Sequence, residues 1–412
     1  MIDIFYHICI TCVLAKDTIP EYFLARPFIL LRTTMKKTMK KTPPSQYGLE
    51  FQNTWNLQSL WLETPPICNL ACDYCFADGG KLREPSKVIS YEQYCKILEE
   101  FAAHGGKMVG IPWAGEPLFG PNRKLTMDVI HKAAELNLVV TLFTTGEFID
   151  KKMAEELYDL PVEIMLKCNS LDPQEQDRLV SSPSKHRNIK WYGAKRNTAL
   201  ELFKSLWFND KKASMEKIGI PTRIGLVTSL METEDGTVSN IAEVKEILRK
   251  CRNENLAFNS DTILPRGRAI GCDLLPKSEV LKKSIDELRQ IDMDEFGYDW
   301  TPNWSYIWST HCNRYNNHLY IQRNGDVHPC LWAPELLLGN AKEDSLQKMR
   351  SMPEMKIIRN RTYRGVCAET CKNFEEHSCN SCLGRRATVG TGEELLKRGF
   401  VLTHWCFNRR EK

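Results

Sequence analysis

Apolar and polar positions alternate between two patterns over residues 57–263. Short apolar runs typical of buried strands are followed by segments in which apolar residues recur every three or four positions, as on one face of a helix. The runs are Leu57–Leu62, Met108–Trp113, Leu138–Phe143, Val162–Leu166, Thr222–Val227 and Leu256–Ile263. This alternation predicts a parallel sheet covered by helices, with six strand–helix units.

Helix signals lie between these runs. Ser90 and Gln93 have the spacing of a capping box, in which each residue satisfies a backbone N–H group of the other. Helical patterns cover Thr126–Leu136, Lys151–Tyr158, Ala194–Phe208, Ile241–Cys251 and Ser278–Gln290. Nearer the C-terminus, Asn324-Gly325 separates two apolar runs, Leu319–Gln322 and Val327–Leu331, which predicts a hairpin with a type I′ turn.

Composition and charge narrow the class of protein. The chain has 412 residues, 42% hydrophobic and 26% charged, with a net charge of +4, which is ordinary for a globular protein and gives no basis for nucleic-acid binding. The apolar run from Ile4 to Leu14 is too short to span a bilayer, so no membrane association is expected. Residues 1–50 are expected to be poorly ordered or an upstream extension, with translation beginning at Met35.

The cysteines are the abnormal part of the composition. Of 16 cysteines, three lie at Cys68, Cys72 and Cys75, and seven lie between Cys312 and Cys406. A secreted disulfide framework would require a small domain behind a signal peptide. Size and clustering instead predict metal sites in a reducing cytoplasm.

The spacing C-x3-C-x2-C at Cys68–Cys75, directly after the first strand, is specific. A [4Fe–4S] cluster takes four thiolates, so three local cysteines would leave one iron open to another ligand. Structural zinc requires a closed set of four ligands, and no fourth lies close by. An accidental group of buried or zinc-binding cysteines remains the alternative.

With Phe76 after the third cysteine, this stretch resembles the signature of the radical S-adenosylmethionine (SAM) superfamily. The resemblance implies that the open iron binds SAM, which is cleaved reductively to a 5′-deoxyadenosyl radical. It also implies an α/β fold with a partial (β/α)6 TIM-like barrel. In such barrels the active site lies at the carboxyl ends of the strands.

That rule, together with the resemblance, identifies candidate SAM-binding residues. Ala114, Gly115, Glu116 and Pro117 resemble the family's G-G-E-P loop after the second strand, and Thr145 lies in a similar turn after the third. Asn169 and Ser170 would bind the SAM ribose, and Arg178 either pairs with the SAM carboxylate or is a solvated helix charge. Arg223 or Thr228 on the fifth strand could also face the SAM pocket.

The C-terminal cysteines resemble those of the SPASM extension of radical SAM enzymes, which carries auxiliary iron–sulfur clusters. Cys367, Cys371, Cys379 and Cys406 would hold a distal cluster, and Cys312, Cys330 and Cys382 a nearer one, with Cys272, a non-cysteine ligand or an open iron at the fourth position. The C-x3-C-x7-C-x2-C spacing from Cys367 to Cys382 departs from the usual SPASM pattern. Zinc remains the alternative for these sites.

The expected organisation is an extension (1–50), a barrel (51–264), a bridging segment (265–305) and a small cysteine-rich α+β domain (306–412). The resemblance implies an oxidoreductase that modifies a peptide or protein and receives electrons from a flavodoxin or ferredoxin. A dehydrogenase or epimerase of a small metabolite such as a sugar, and a non-catalytic metal-binding scaffold, are the alternatives. Leu331 stands where sulfatase maturases have a catalytic aspartate, which argues against that activity.

Overall fold

The computed structural model describes residues 57–70, 72–77, 88–112, 114–181, 188–264, 266–298, 317–333 and 336–353, and the single residues 355 and 372. All of them belong to one compact unit, residues 40–412. The predicted N-terminal extension and every C-terminal cysteine except Cys330 lie outside the described residues. The predicted domain boundaries stay predictions.

Six parallel strands form the core of the sheet, as predicted. They are β1 (Ser59–Leu62), β2 (Met108–Ile111), β3 (Val139–Thr144), β4 (Val162–Lys167), β5 (Ile224–Leu230) and β6 (Ala257–Thr262). They pair in sequence order, so each neighbour is reached by one crossover. This is the strand arrangement of a partial β/α barrel.

Helices cover the outer face of these strands. They are α1 (Tyr91–Ala103), α2 (Gly120–Glu135), α3 (Lys151–Asp159), α4 (Pro173–Val180), α5 (Tyr192–Ser205), α6 (Lys211–Ile218), α7 (Ile241–Asn253) and α8 (Ser278–Phe296). The Ser90 capping box of α1 is formed as predicted. Two short helices, α4 and α6, were missed, because each has only eight residues and few apolar side chains. None of the helices in the described part of the chain has the length and apolar character needed to cross a membrane.

Side chains on the strands divide into two layers. One set, such as Leu60, Val140 and Leu226, packs against the helices in the larger apolar core. The alternate set, which includes Trp61, Phe143 and Val227, points to the inside of the barrel and forms a second cluster of aromatic and aliphatic residues. The period of two along a strand therefore assigns every second residue to the barrel interior.

The C-terminal part continues the same sheet. β7 (His318–Ile321) pairs with β1 in parallel, and β8 (Asp326–His328) and β9 (Gly339–Asn340) follow antiparallel. A short helix, α9 (Leu346–Arg350), comes next. The turn between β7 and β8 therefore lies at the same end of the sheet as the carboxyl end of β1.

The hairpin between β7 and β8 is present, but the predicted type I′ turn is wrong. Such a turn needs positive φ at both central residues, and of Asn324 and Gly325 only Gly325 has it, at 93°. The N–H of Gly325 instead donates to the carbonyl of Gln322 (2.8 Å), and that of Gln322 to Asp326 (2.8 Å). This is the pattern of a three-residue loop with glycine in the left-handed position.

The suggestion that Arg223 faces the SAM pocket is also wrong. Its guanidinium donates to the carbonyls of Leu157, Tyr158, Leu160 and Val162 at 2.8–3.0 Å. These groups lie at the end of α3 and the start of β4, opposite the end where the site is expected. Arg223 therefore supplies hydrogen-bond donors to backbone carbonyl groups where α3 ends and β4 begins.

Replacing Arg223 by methionine should destabilise the fold. The change removes a buried cation and leaves four carbonyl groups without their donor, so we expect a loss of about 3 kcal/mol in the free energy of unfolding. Urea unfolding of the iron-free protein measures it. Lys212→Met is the matched control, because the Lys212 side chain is 86% exposed and lies 4.0 Å from the Glu216 carboxylate. Equal stability of the two variants would contradict the assignment.

Candidate active site and cluster loop

One open cavity lies at the carboxyl ends of the parallel strands. Its empty volume, including the part open to solvent, is about 1210 Å³. Six of the residues predicted for the site line this cavity together: Cys68, Cys72, Cys75, Phe76, Gly115 and Thr145. The sequence placed them on three separate loops, and the parallel strands bring those loops to one end of the barrel.

The three cysteines lie on the loop that follows β1, here called the cluster loop (residues 68–76). Two hydrogen bonds join described residues of the loop: the N–H of Cys75 donates to the carbonyl of Cys72 (3.2 Å), and that of Leu70 to the Cys68 sulfur (3.4 Å). From outside, the N–H groups of Arg268 and Ala269 both donate to the carbonyl of Cys75. The loop thus depends on neighbouring segments for its conformation.

The thiols are electrostatically coupled. Burial, and then repulsion from neighbouring thiols, raises the pKa of Cys68 well above its usual value and that of Cys72 to about 11. The cations Arg268 and Lys167 act in the opposite direction on Cys72. Positively charged iron would relieve this repulsion and stabilise the thiolate forms.

These residues fit three ligands of an iron–sulfur cluster. In the described part of the chain, no three His, Cys, Asp or Glu side chains are grouped so as to hold a single metal ion. The three thiols do, however, line one cavity from one loop, and a [4Fe–4S] cluster takes each thiolate at a different iron. Cys68, Cys72 and Cys75 would hold the cluster through three of its four irons.

The loop after β2 is bound to the segment that leads into the cluster loop. A Cβ atom at Gly115 would lie 2.6 Å from the carbonyl oxygen of Ile67, so glycine is required for this close backbone approach. The amide of Asn122 donates to the carbonyls of Pro65, Ile67 and Glu116 at 2.9–3.0 Å. The sequence assigned this glycine to contact with SAM, whereas here it is needed for contact within the protein.

Glu116 is fully buried and does not line the cavity. Its carboxylate accepts hydrogen bonds from the Thr144 hydroxyl (2.5 Å), the N–H of Thr145 (2.8 Å) and the N–H of Leu118 (3.2 Å). Burial raises the pKa of Glu116, and these hydrogen bonds oppose that rise. Glu116 therefore joins the loops after β2 and β3, and its role as a SAM ligand stays a prediction, as do those of Ala114 and Pro117.

The predicted ribose and carboxylate ligands also lie outside the cavity lining. The Asn169 amide donates to the Tyr74 hydroxyl (2.8 Å), and its oxygen accepts from the N–H of Ser229 (3.0 Å). Ser170 is buried beside it. Arg178 pairs with Glu175 on the surface of α4, through two bonds of 2.5 and 2.7 Å. The roles of Asn169, Ser170 and Arg178 in binding SAM stay predictions.

The sequence did not reveal the polar side chains that line the cavity from β4, β5 and β6. Lys167 at the end of β4, Ser229 on β5, and Asn259 and Asp261 on β6 line the cavity. The Lys167 ammonium donates to the Ser229 hydroxyl (2.8 Å), and burial lowers its pKa to about 8. Side chains on a strand alternate between the two faces of the sheet, and this alternation could have identified these residues. Lys167 lies two positions after the inward-facing Met165. Asn259 and Asp261 lie two and four positions after the inward-facing Ala257.

The C-terminal part reaches the same cavity. Leu331 and Trp332, directly after Cys330, line it, and Trp332 packs in the cluster of Trp61 and Phe143. Cys272, the suggested upstream ligand, packs instead with Tyr74 and Cys72. The ligand assignments of Cys312, Cys330, Cys367, Cys371, Cys379, Cys382 and Cys406 stay predictions, and only Cys330 lies within the described residues.

Two family models match the chain. One, described as "Radical SAM superfamily", matches residues 62–206, and the SPASM model, described as "Iron-sulfur cluster-binding domain", matches residues 312–382. The chain therefore contains a radical SAM domain and a SPASM domain. The radical SAM and SPASM domains imply [4Fe–4S] clusters and SAM as cofactors, and the two matches agree with the two groups of cysteines in the sequence.

Curated relatives match only part of this radical SAM chain. GTP 3′,8-cyclase of Nostoc sp. is 29% identical over 129 residues, which are 30% of this chain and 37% of that protein. The tungsten-containing aldehyde ferredoxin oxidoreductase cofactor-modifying protein of Pyrococcus furiosus is 25% identical over 122 residues, 29% of this chain and 33% of that protein. The chain thus spans about a third of the length of these relatives.

Solved structures resemble more of the chain. anSMEcpe with bound AdoMet and the Cp18Cys peptide has a TM-score of 0.60 at 15% identity, covering 85% of this chain and 94% of that one. Streptococcus suis SuiB bound to S-adenosylmethionine has a TM-score of 0.58 at 14% identity, covering 85% and 77%. At these identities the likeness concerns the fold, and it confirms the predicted partial barrel.

The charge of Lys167 should control SAM binding. Lys167 is a cation in the cavity, and we expect it to attract the SAM carboxylate while it is protonated. Its pKa is about 8, so the attraction is present below that pH and is lost above it. SAM affinity of the reconstituted protein should fall roughly ten-fold from pH 7 to pH 9.

Equilibrium binding measured over this pH range is the test. Lys167→Met should bind weakly at every pH, and Lys151→Met, whose side chain is 78% exposed, should behave as wild type. An unchanged pH dependence in Lys167→Met would contradict a role for Lys167.

Proposed function

We propose that this radical SAM protein cleaves SAM reductively and abstracts a hydrogen atom from a peptide or protein substrate. The observation that carries the proposal is the convergence of three thiols, Gly115, Thr145 and the cations Lys167 and Arg268 on one cavity. Thiols alone suit many metal sites. A cavity beside them, with room for an organic ligand and a buried cation for its carboxylate, supports SAM chemistry.

The residues that line the cavity would have distinct roles in this reaction. Cys68, Cys72 and Cys75 hold the cluster, which when bound supplies one electron for the cleavage of SAM. Lys167 attracts the SAM carboxylate, and Ser229 orients Lys167 through its hydrogen bond. The apolar wall of Trp61, Phe143 and Trp332 limits the access of water to the radical.

A peptide or protein is the substrate class we favour. anSMEcpe is described with a bound peptide and SuiB with the precursor peptide SuiA, and both share this fold over most of the chain. The SPASM part contributes Leu331 and Trp332 to the cavity wall, so it would contact a substrate directly. We further propose an oxidoreductase with a flavodoxin or ferredoxin as electron donor.

Leu331 limits the reaction mechanisms that are possible at this site. An apolar side chain cannot accept a proton from a substrate, so a mechanism that needs a carboxylate directly after Cys330 is disfavoured. A dehydrogenase or epimerase of a small metabolite is the second candidate, because the cavity also carries Asn259 and Asp261, which could bind hydroxyl groups. A non-catalytic metal-binding scaffold is the third.

Replacing Cys68, Cys72 and Cys75 together by alanine should abolish reductive formation of 5′-deoxyadenosine, because no thiolates would remain to hold the SAM-binding cluster. The auxiliary clusters should persist, at about eight irons per chain for two [4Fe–4S] clusters. Anaerobic assay with dithionite, together with iron and sulfide analysis, measures both.

Unchanged SAM cleavage in this variant would refute the proposal that these three cysteines hold the SAM-binding cluster. Stoichiometric zinc without labile sulfide would refute the C-terminal assignment alone. The double variant Cys168→Ala/Cys251→Ala is the control, because both thiols are buried in the helix-facing core and away from the cavity.

Substrate class is tested by mass spectrometry. Reconstituted protein, reductant and SAM are incubated with a mixed peptide library and, separately, with sugars. We expect a mass loss of two hydrogens or an equivalent radical modification on peptides, in step with 5′-deoxyadenosine release. Modification of sugars alone would favour the metabolite enzyme, and SAM cleavage in neither mixture above background would count against both.

A further inference from the structure

Asn69 lies in the cluster loop between Cys68 and Cys72, and its side chain is held from outside the loop. Its amide nitrogen donates to the Glu147 carboxylate at 2.5 Å, across 78 residues of sequence. Among the described residues of the loop there are few backbone hydrogen bonds, so this side-chain contact restrains the segment between its first two thiols.

Glu147 is a nearly buried anion whose side chain is 4% exposed. It follows the turn after β3, where Thr145 lines the cavity, and its N–H donates to the Thr145 hydroxyl (3.4 Å). One carboxylate oxygen accepts from the Trp191 indole (2.7 Å) and from Lys195 (3.1 Å) at the start of α5. The other oxygen accepts from Asn69.

The carboxylate therefore joins three segments: the cluster loop, the turn after β3 and the start of α5. Trp191 and Lys195 occupy one oxygen, which orients the other toward Asn69. Hydrogen bonds to an ionised acceptor are shorter and stronger than neutral ones, and they are stronger still when water is excluded. Nothing in the cysteine motif requires an acidic residue at this position.

We propose that Glu147 is the positioning residue of the cluster loop and acts through Asn69 to set the relative placement of Cys68 and Cys72. The proposal rests on the proposed function, in which these thiols hold the SAM-binding cluster. Glu147 itself contacts no thiol through the hydrogen bonds described. Its effect should therefore appear in cluster geometry and SAM binding as well as in turnover.

A polarity swap tests the proposal. Asn69→Asp places one carboxylate against another and should weaken SAM binding at least ~10-fold, as expected for loss of a charge-assisted hydrogen bond. Glu147→Gln in the wild-type background should have a smaller effect, because its amide can still accept. In Asn69→Asp/Glu147→Gln the glutamine amide can donate to the new carboxylate, so SAM affinity should recover to within ~3-fold of wild type.

Three readouts accompany SAM affinity: iron retained by the reconstituted protein, the change that SAM causes in the EPR spectrum of the reduced cluster, and thermal unfolding of the iron-free protein. Each of these measurements should be impaired in Asn69→Asp and should return toward the wild-type value in Asn69→Asp/Glu147→Gln. Glu155→Gln is the control, since the Glu155 side chain is 53% exposed and pairs with Lys151 at 3.8 Å on the same helix.

The outcomes separate this inference from the proposed function. Additive effects without rescue, in a wild type that shows the SAM-dependent EPR change, would refute the role of Glu147 alone. Absence of that EPR change in wild type would refute the proposed function, while rescue of iron-free stability would still support the contact between Asn69 and Glu147.

Discussion

The site depends on buried polar side chains that join neighbouring strand-end loops. Glu116 binds the loop after β2 to the end of β3, Asn122 binds it to the segment before Cys68, and Glu147 binds the turn after β3 to the cluster loop. Each group is buried, so breaking its bonds would leave charge or hydrogen-bonding capacity unsatisfied. Because breaking these hydrogen bonds is unfavourable, they hold the strand-end loops in place relative to one another.

The parallel pairing of β7 with β1 has a comparable role for the C-terminal part. It continues with a buried contact in which the Tyr320 hydroxyl donates to Glu63, whose carboxylate also accepts from the N–H of Arg323 at 3.2 Å. Burial raises the pKa of the Glu63 carboxyl, and these bonds oppose the rise. Because Glu63 lies five residues before Cys68, the same strand carries the cluster loop and anchors the hairpin that brings Leu331 to the cavity.

The cavity combines an apolar wall with a small number of charges. Trp61, Phe143 and Trp332 form one side, while Lys167 and Arg268 lie toward the thiols. In a site that excludes water, each charge acts more strongly than it would in solvent. The same low polarity raises the pKa of the Cys68 and Cys72 thiols and lowers that of Lys167, so it disfavours the charged form of both kinds of group.

The sequence by itself determined the six strand–helix units and the three cysteines of the cluster loop, because apolar periodicity and cysteine spacing are local properties of the chain. The positions of Gly115 and Thr145 followed from the rule that parallel strands present their carboxyl ends together.

Only the tertiary structure decided which side chains enter the cavity. Arg223 on β5, and Asn169 and Arg178 after β4, are all plausible ligands from their places along the sequence, yet the first is bonded at the opposite end of the barrel and the others pair with Tyr74 and Glu175. The contacts of Asn69 with Glu147 and of β7 with β1 join residues 78 and more than 250 positions apart, and no local pattern encodes such pairs.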